Sequence, residues 1–497
     1  LESIMRHLIL VYFVLCASGA AAATLAPQTV ASIGDGKARS WAVASGADGD
    51  ILLGLELTAS AAPDSDENAG IALAAGQSAA AVAAYSTSGR LRWARALTSV
   101  SYAPTLHGLS AAADGSSCIV GSYSGSAAVA GATLPVVHAA GASDAYALRL
   151  SADGTPRWLV SFGGAGADSA EATLATADGG CFVAGSFRDA ARFGDKSLQA
   201  HGGADAYVLR LNASGAVVWA TALGGKGEDS AVALASAPAG GAYVLMRYSQ
   251  PLRVDTREGS HDFSVAGAED ALLLHFNADG QVQAAQRIGS DKPDHFTTLA
   301  ADASGIAVVG YYSGSEELHI GAQSLALRSA GGTDGLMLRL DADLNLQDHA
   351  SFGGGDGMLL PLAATYAADG RLWVAGSITG NVQIGEQTLR ANRTDGVLLG
   401  LQADPRAAPR VLVFGGDRGQ QLSAVTTTRE GVYASGVTSD VHKSDAEHEA
   451  EEQREHTARS KAPDASAEHA RTERADEEAR ETARSRSQAV LVRYRWH

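Results

Sequence analysis

The stretch Asp205–Asp229, DAYVLRLNASGAVVWATALGGKGED, decides the fold because it recurs. Asp144 opens DAYALRLSADGTPRWLVSFGGAGAD, and weaker copies open at Asp270 (DALLLHFNADG), Asp334 (DGLMLRLDADL) and Asp395 (DGVLLGLQADP). These five aspartates lie 61 to 65 residues apart, a period that signals a repeat architecture. Inside one copy, Asp205–Leu211 and Val217–Leu223 are short runs rich in β-branched, aromatic and other apolar residues, bounded by Asn212-Ala-Ser-Gly215 and Gly224-Gly225. Short apolar runs flanked by residues that accept positive φ are strands joined by tight turns. Asp-Gly pairs at Asp153, Asp178, Asp279 and Asp369 mark further hairpins. Each unit reads as four strands, exemplified by Ala170–Ala177, Cys181–Phe187, Asp205–Leu211 and Val217–Leu223, with a small separate hairpin at Arg192–Leu198.

The two chain ends complete that reading. Thr29–Ile33 looks like a fourth strand, and Gln488–Tyr494 like a third strand with no fourth after it. The third-strand motif occurs at Ala79, Asp144, Asp205, Asp270, Asp334, Asp395 and Gln488. The expected fold is therefore all-β: a seven-bladed β-propeller of four-stranded antiparallel blades, closed by the N-terminal strand joining the last blade, which leaves no open sheet edge. The expected organisation is a signal peptide at 1–23, blades over 24–441, a charged, partly helical or disordered insert at 442–487, and a closing strand at 488–497.

Met5-Arg6-His7, the apolar run Leu8–Cys16 and the small residues Ala17–Ala23 have the layout of an export signal. A periplasmic or extracellular protein is expected, with no membrane span, because no apolar run reaches the roughly 20 residues a helix needs. Net charge is −17 (38 Lys and Arg against 55 Asp and Glu). Nucleic acid is excluded as a partner, since its recognition needs a basic footprint. A monomer that binds a protein or a carbohydrate is expected. Cys118 and Cys181 occupy second strands of consecutive units at opposite parity. Packed sheets sit about 10 Å apart and a disulfide needs Cα atoms within about 7 Å, so two separately buried thiols are expected.

At DAYALRL…W…GGAGAD the chain resembles the bacterial seven-bladed β-propeller repeat family (SBBP-type repeats), whose units read roughly D-A-F-V-x-K-L-D-x-x-G-x-x-x-W-x-x-x-x-G-G-x-G-x-D. The resemblance covers most of residues 25–441 and the last ten. It implies export and a propeller, and no defined reaction.

Chemistry-bearing residues concentrate at the Gly-rich corners, Gly163-Gly164-Ala-Gly166-Ala-Asp168 and Gly224-Gly225-Lys-Gly227-Glu-Asp229; a third runs from Gly289-Ser290 to Asp294. Asp168, Asp229 and Asp294 are the candidate ligand-binding residues. Carboxylates there suit a hard cation such as Ca2+; equally, the glycines supply positive φ and the aspartates cap turn N–H groups. No catalytic residue, resident metal or other cofactor is assigned. Ser151-Ala-Asp153-Gly154-Thr-Pro-Arg-Trp158 lacks the residue that an Asp box places between Asp and Gly. The fourteen histidines form no HExxH, and neither GxSxG nor a phosphate loop occurs. Trp93, Trp158 and Trp219 recur at one position, as inter-unit packing requires. Two function classes follow: a secreted binding or scaffold module for a protein, glycan or cell-surface component, or an enzyme (hydrolase or lyase) with carboxylates at a central channel mouth.

The insert carries almost no large apolar residue over His442–Ser487, so it has nothing to bury against a core. Excising it with a short Gly-Ser link should leave the melting temperature within about 2 °C of the full chain, as measured by circular dichroism; a loss above about 8 °C would make it a structural element.

Overall fold

The computed structural model describes residues 28–33, 38–46, 49–58, 78–99, 102–292, 294–404, 407–416, 418–439 and 487–495. The expected signal peptide at 1–23 and residues 442–486 of the expected insert lie outside the described residues. The described elements are strands, apart from one short 3-10 turn at Pro238–Gly240. None is a helix long and apolar enough to cross a membrane.

The strands run as antiparallel meanders. In one of them Ser169–Ala175 pairs with Cys181–Phe193, which pairs with Lys196–Leu211, which pairs with Val217–Leu223. Second and third strands are buried along most of their length because both sheet faces are covered, as in Asp144–Leu150, where every residue is buried. Small residues make that double coverage close: Ala145, Ala147, Ala184 and Ala206 are all fully buried.

The expectation of seven separate four-stranded blades closing as a propeller is corrected by the sheet topology. The strands hydrogen-bond into four open sheets, of 4, 8, 14 and 6 strands, and none closes on itself. The physical reason is strand length. Cys181–Phe193 and Lys196–Leu211 are 13 and 16 residues long, so the expected separate hairpin at Arg192–Leu198 is instead their continuation. A bulge between Arg188 and Ala190 bends it, with Asp189 at φ 57°. The bent end pairs backward with the preceding fourth strand, Gly163 to Arg192 and Gly164 to Ala191. A Cβ on Gly164 would meet the Ala190 carbonyl oxygen at 2.0 Å, so only glycine permits that approach. Gly305–Ile320 returns on Val282–Gly289 in the same way, through Ile288 to Ile320 and Gly289 to His319. The N-terminal strand Gln28–Ile33 lies antiparallel to Ser487–Arg495, within the open four-stranded sheet.

Between sheets the contacts are side-chain packing. The opening strands of successive meanders, Ala38–Ser45, Gly108–Ala111, Ser169–Ala175, Asp229–Ser236, His295–Asp302, Met358–Tyr366 and Gly419–Thr427, pack each on the next, and the last packs on the first. Ser40 Oγ donates to Ser435 Oγ at 2.9 Å across that last junction. On the fourth strands, Trp93, Trp158 and Trp219 donate their indole N–H to the carbonyls of Ala152, Ala213 and Ala278 in the next meander's turn, at 3.0, 3.0 and 2.9 Å. Each indole lies over a turn glycine, Gly154, Gly215 or Gly280, where a Cβ would come within 2.9 Å of the ring. In two meanders whose fourth strand has no tryptophan, a third-strand arginine reaches the same acceptor. Arg339 Nη1 bonds Ala403 O at 2.6 Å, and Arg493 bonds Thr87 O.

The cysteine expectation is also corrected: Cys118 and Cys181 form a disulfide, with Cα atoms 6.6 Å apart. The 10 Å spacing belongs to sheets facing squarely; beside the tight turns that begin both second strands, the spacing has narrowed into bonding range. Both residues are fully buried. The Arg149 guanidinium covers them, 3.8 and 3.5 Å from the two sulfurs, while bonding Ser116 Oγ and Gly180 O. The bridge closes a loop over a sequence separation of 63, so Cys118→Ser with Cys181→Ser should cost on the order of 2–4 kcal/mol in urea unfolding. A change below about 0.5 kcal/mol would show that the bridge contributes nothing.

Candidate functional site

The corner aspartates sit where strand geometry requires an acceptor. Asp168 Oδ2 accepts Gly164 N–H at 2.7 Å, and its Oδ1 accepts Arg188 N–H at 2.9 Å. Asp229 repeats this with Gly225 at 2.8 Å and Ser249 at 3.3 Å, and Asp294 accepts Ser290 N–H at 2.8 Å. All three are buried. The leading aspartates of the third strands approach the first glycine of each corner, and at Gly163 both acids meet. A Cβ on Gly163 would lie 2.6 Å from Asp144 Cγ and 2.7 Å from Asp168 Oδ2. Asp144, Asp205 and Asp270 each accept the N–H four residues upstream, from Ala140, His201 and Ala266. Three carboxylate pairs result: Asp144 with Asp168, Asp205 with Asp229, and Asp270 with Asp294. At the next two corners, the fifth residue after the first glycine is Met358 or Gln420, so Asp334 and Asp395 lack an acidic counterpart.

Burial pushes Asp144, Asp168, Asp229, Asp270 and Asp294 upward, and at Asp144, Asp229 and Asp294 the paired charge adds to it. Asp144 and Asp229 rise to about 6, the latter further raised by Asp205. Asp294 rises to about 7, with Asp270 contributing. Asp168 and Asp270 are raised too, again chiefly by burial. The oxygens face backbone donors, joined by Arg287 Nε at 2.6 Å on Asp270 and His201 Nδ1 at 3.0 Å on Asp205, and among the described residues no group of three or more His, Cys, Asp or Glu side chains is arranged to hold a metal ion.

Asp168 and Asp229 contribute to one cleft of about 330 Å³; Asp294 belongs to the next corner and does not. The cleft wall is polar, formed by Ser169, Ser186, Ser230, Arg188, Arg247 and Glu269. Arg188 is bidentate to Glu228, at 3.1 and 2.7 Å, and Arg247 pairs with Glu269 at 3.5 Å.

A second set of functional side chains was not legible in the sequence. Six of the opening strands carry a β-bulge near their start, between Ser40 and Ala42, Ala170 and Ala172, Ala231 and Ala233, Phe296 and Thr298, Pro361 and Ala363, and Leu422 and Ala424. The bulged residues are Trp41, Glu171, Val232, Thr297, Leu362 and Ser423. His107 holds the corresponding place, since its N–H bonds Val120 O while Gly108 pairs with Val120. A bulge takes its residue out of the alternating pattern and re-aims it. Thr297 Oγ1 reaches Pro361 O at 3.0 Å and Ser423 Oγ reaches Ser40 O at 2.7 Å, each just before the next meander's bulge. His107 Nδ1 reaches Ala170 O at 3.1 Å in the same way, and lies 3.2 Å from Glu171 Oε2. Ser169 Oγ donates to Glu171 Oε1 at 2.7 Å, which joins this pair to the cleft wall. On the other side, Glu56 Oε1 accepts Leu106 N–H at 3.3 Å and Oε2 accepts the Trp41 indole N–H at 2.9 Å.

Burial alone would lower the His107 pKa, but the hydrogen bond and charge of Glu171, the Ala170 carbonyl and the charge of Glu56 together carry it above its ordinary value. Burial would raise Glu171, yet His107, the Ser169 hydroxyl and the charge of Arg247 hold it below the usual range. Ser169 and Glu171 both approach Nδ1, so the trio lacks the two-sided relay of a serine nucleophile, its base and an orienting acid.

No family model matches the chain, and no curated protein matches it. A solved structure described as a protein of unknown function from Bacteroides caccae is similar at 10% identity and a TM-score of 0.33, over 58% of this chain and 78% of that one.

The aspartate pairs set a pH dependence. A carboxyl raised on folding binds more protons folded than unfolded, so its stabilisation is complete below about pH 4 and is lost as pH rises through the folded value. The urea midpoint should therefore fall between pH 5 and pH 8, and Asp294→Asn should flatten the part of the fall near pH 7. A wild-type midpoint that rises over this interval would refute the pairing.

Proposed function

We propose that the chain is an exported binding module whose contact site is the serine- and ion-pair-lined cleft, and that its ligand is polar and hydroxyl-rich, as in a glycan or other cell-surface component. The observation that carries this reading is the chemistry of the wall: four serines (Ser143, Ser169, Ser186 and Ser230) and two arginines held by Glu228 and Glu269 offer fixed donors and acceptors. Such pre-set polar groups provide orientation and specificity in ligand sites. The enzymatic alternative, with carboxylates at a channel mouth, loses support because Asp168, Asp229 and Asp294 are buried and engaged by backbone N–H groups. Export is supported by the composition of the first 23 residues and by the disulfide, since such bridges persist in oxidising compartments.

Filling the cleft tests the proposal. Ser230→Trp should abolish binding of the mature chain to arrayed glycans and to a bacterial envelope fraction, with no shift in melting temperature. Binding that survives at wild-type strength would move the contact site elsewhere.

A further inference from the structure

Five tryptophans lie among the described residues, and four of them serve packing. Trp93, Trp158 and Trp219 sit on the turn glycines of the next meander, and Trp373 is 1% exposed. Trp41 is different: it occupies a bulge and is 39% exposed. Its indole N–H is held by Glu56, so the ring is oriented while part of its surface stays open. From Trp41 a continuous run of contacts leads through Glu56, the Leu106 N–H, His107 and Glu171 to Ser169 on the cleft wall. The Nδ1 edge of His107 is taken up by Glu171 and Ala170 O; its Nε2 has no partner among the described residues.

We infer that Trp41, Glu56, His107 and Glu171 form a saccharide subsite beside the cleft, with Trp41 as the stacking platform; this rests on the binding-module reading above. A pyranose ring presents a C–H face that packs on an indole and a rim of hydroxyls that both donate and accept. The indole is an amphipathic surface suited to the first. Glu56 and Glu171 accept from hydroxyls, and His107 Nε2 accepts when neutral and donates when protonated. The three bulged residues come from the opening strands of three successive meanders or the residue just before one, so the subsite is assembled by packing those strands together. Val232, Thr297, Leu362 and Ser423 stand at the equivalent places further along. None is aromatic, which confines the platform to the Trp41 side.

Arrayed glycans bearing neutral and amino sugars, probed with the full chain, identify a binding glycan, whose affinity is then measured by titration for each variant. Trp41→Ala should weaken it roughly tenfold or more, whereas Trp41→Phe, which keeps a ring, should stay within about threefold. His107→Gln, which keeps a hydrogen-bonding side chain, covers the case in which Trp41→Ala unfolds, and should weaken binding by roughly threefold to tenfold. If Ser230→Trp abolishes binding while Trp41→Ala and His107→Gln leave it unchanged, the subsite is overturned and the cleft stands. Retention of an envelope protein with no glycan bound would overturn the saccharide assignment while leaving a binding module. No binding to either probe would overturn both readings.

Discussion

Buried carboxylates that accept backbone N–H groups hold every other feature in place. At the corner between one meander and the next, the chain leaves a fourth strand, turns on glycine and enters an opening strand with no sheet partner for several N–H groups. Orphaned buried donors are costly. Asp144, Asp205 and Asp270 answer this from the third strand, and Asp168, Asp229 and Asp294 from the strand that follows. The two acids of a corner engage the same residue or adjacent ones, Gly163–Gly164, Gly224–Gly225 or Gly289–Ser290, so the same few atoms set the end of one unit and the start of its neighbour. Putting like charges together there makes the arrangement a protonation-sensitive joint rather than an inert cap.

The joints fix where successive sheets lie, and side chains at recurrent positions then close the gap between them. The repeat conserves the acceptor rather than the donor: a turn carbonyl receives an indole N–H from Trp93, Trp158 or Trp219, and a guanidinium from Arg339 or Arg493. A carbonyl beside the next bulge likewise receives a histidine, a threonine or a serine. Because the backbone sets the geometry, the side chain at such a place is free to change chemistry. That freedom allows Trp41, His107 and Glu171 to stand in register on neighbouring strands without disturbing the sheets.

Charge is distributed accordingly. Acidic groups that would repel in a compact fold are either protonatable in pairs at the corners or neutralised across the cleft by Arg188 and Arg247. The resulting surface around the cleft offers both signs within a small area, which favours a neutral polar ligand over a polyanion.

The sequence by itself determined the period, the strands and their turns, the packing role of three tryptophans and the position of the corner aspartates. These are local matters: alternation, turn chemistry and spacing are written in consecutive residues. Only the tertiary structure decided that Arg192–Leu198 continues two long strands that pair backward, which merges the units into unequal sheets. It alone brought Cys118 within 6.6 Å of Cys181, because inter-sheet distance at a strand end depends on how whole meanders tilt. The bulges were equally hidden. One extra residue in a strand leaves no mark in composition, yet it turns Trp41, His107 and Glu171 out of the pleat, and their meeting depends on strands separated by some 60 residues of intervening chain.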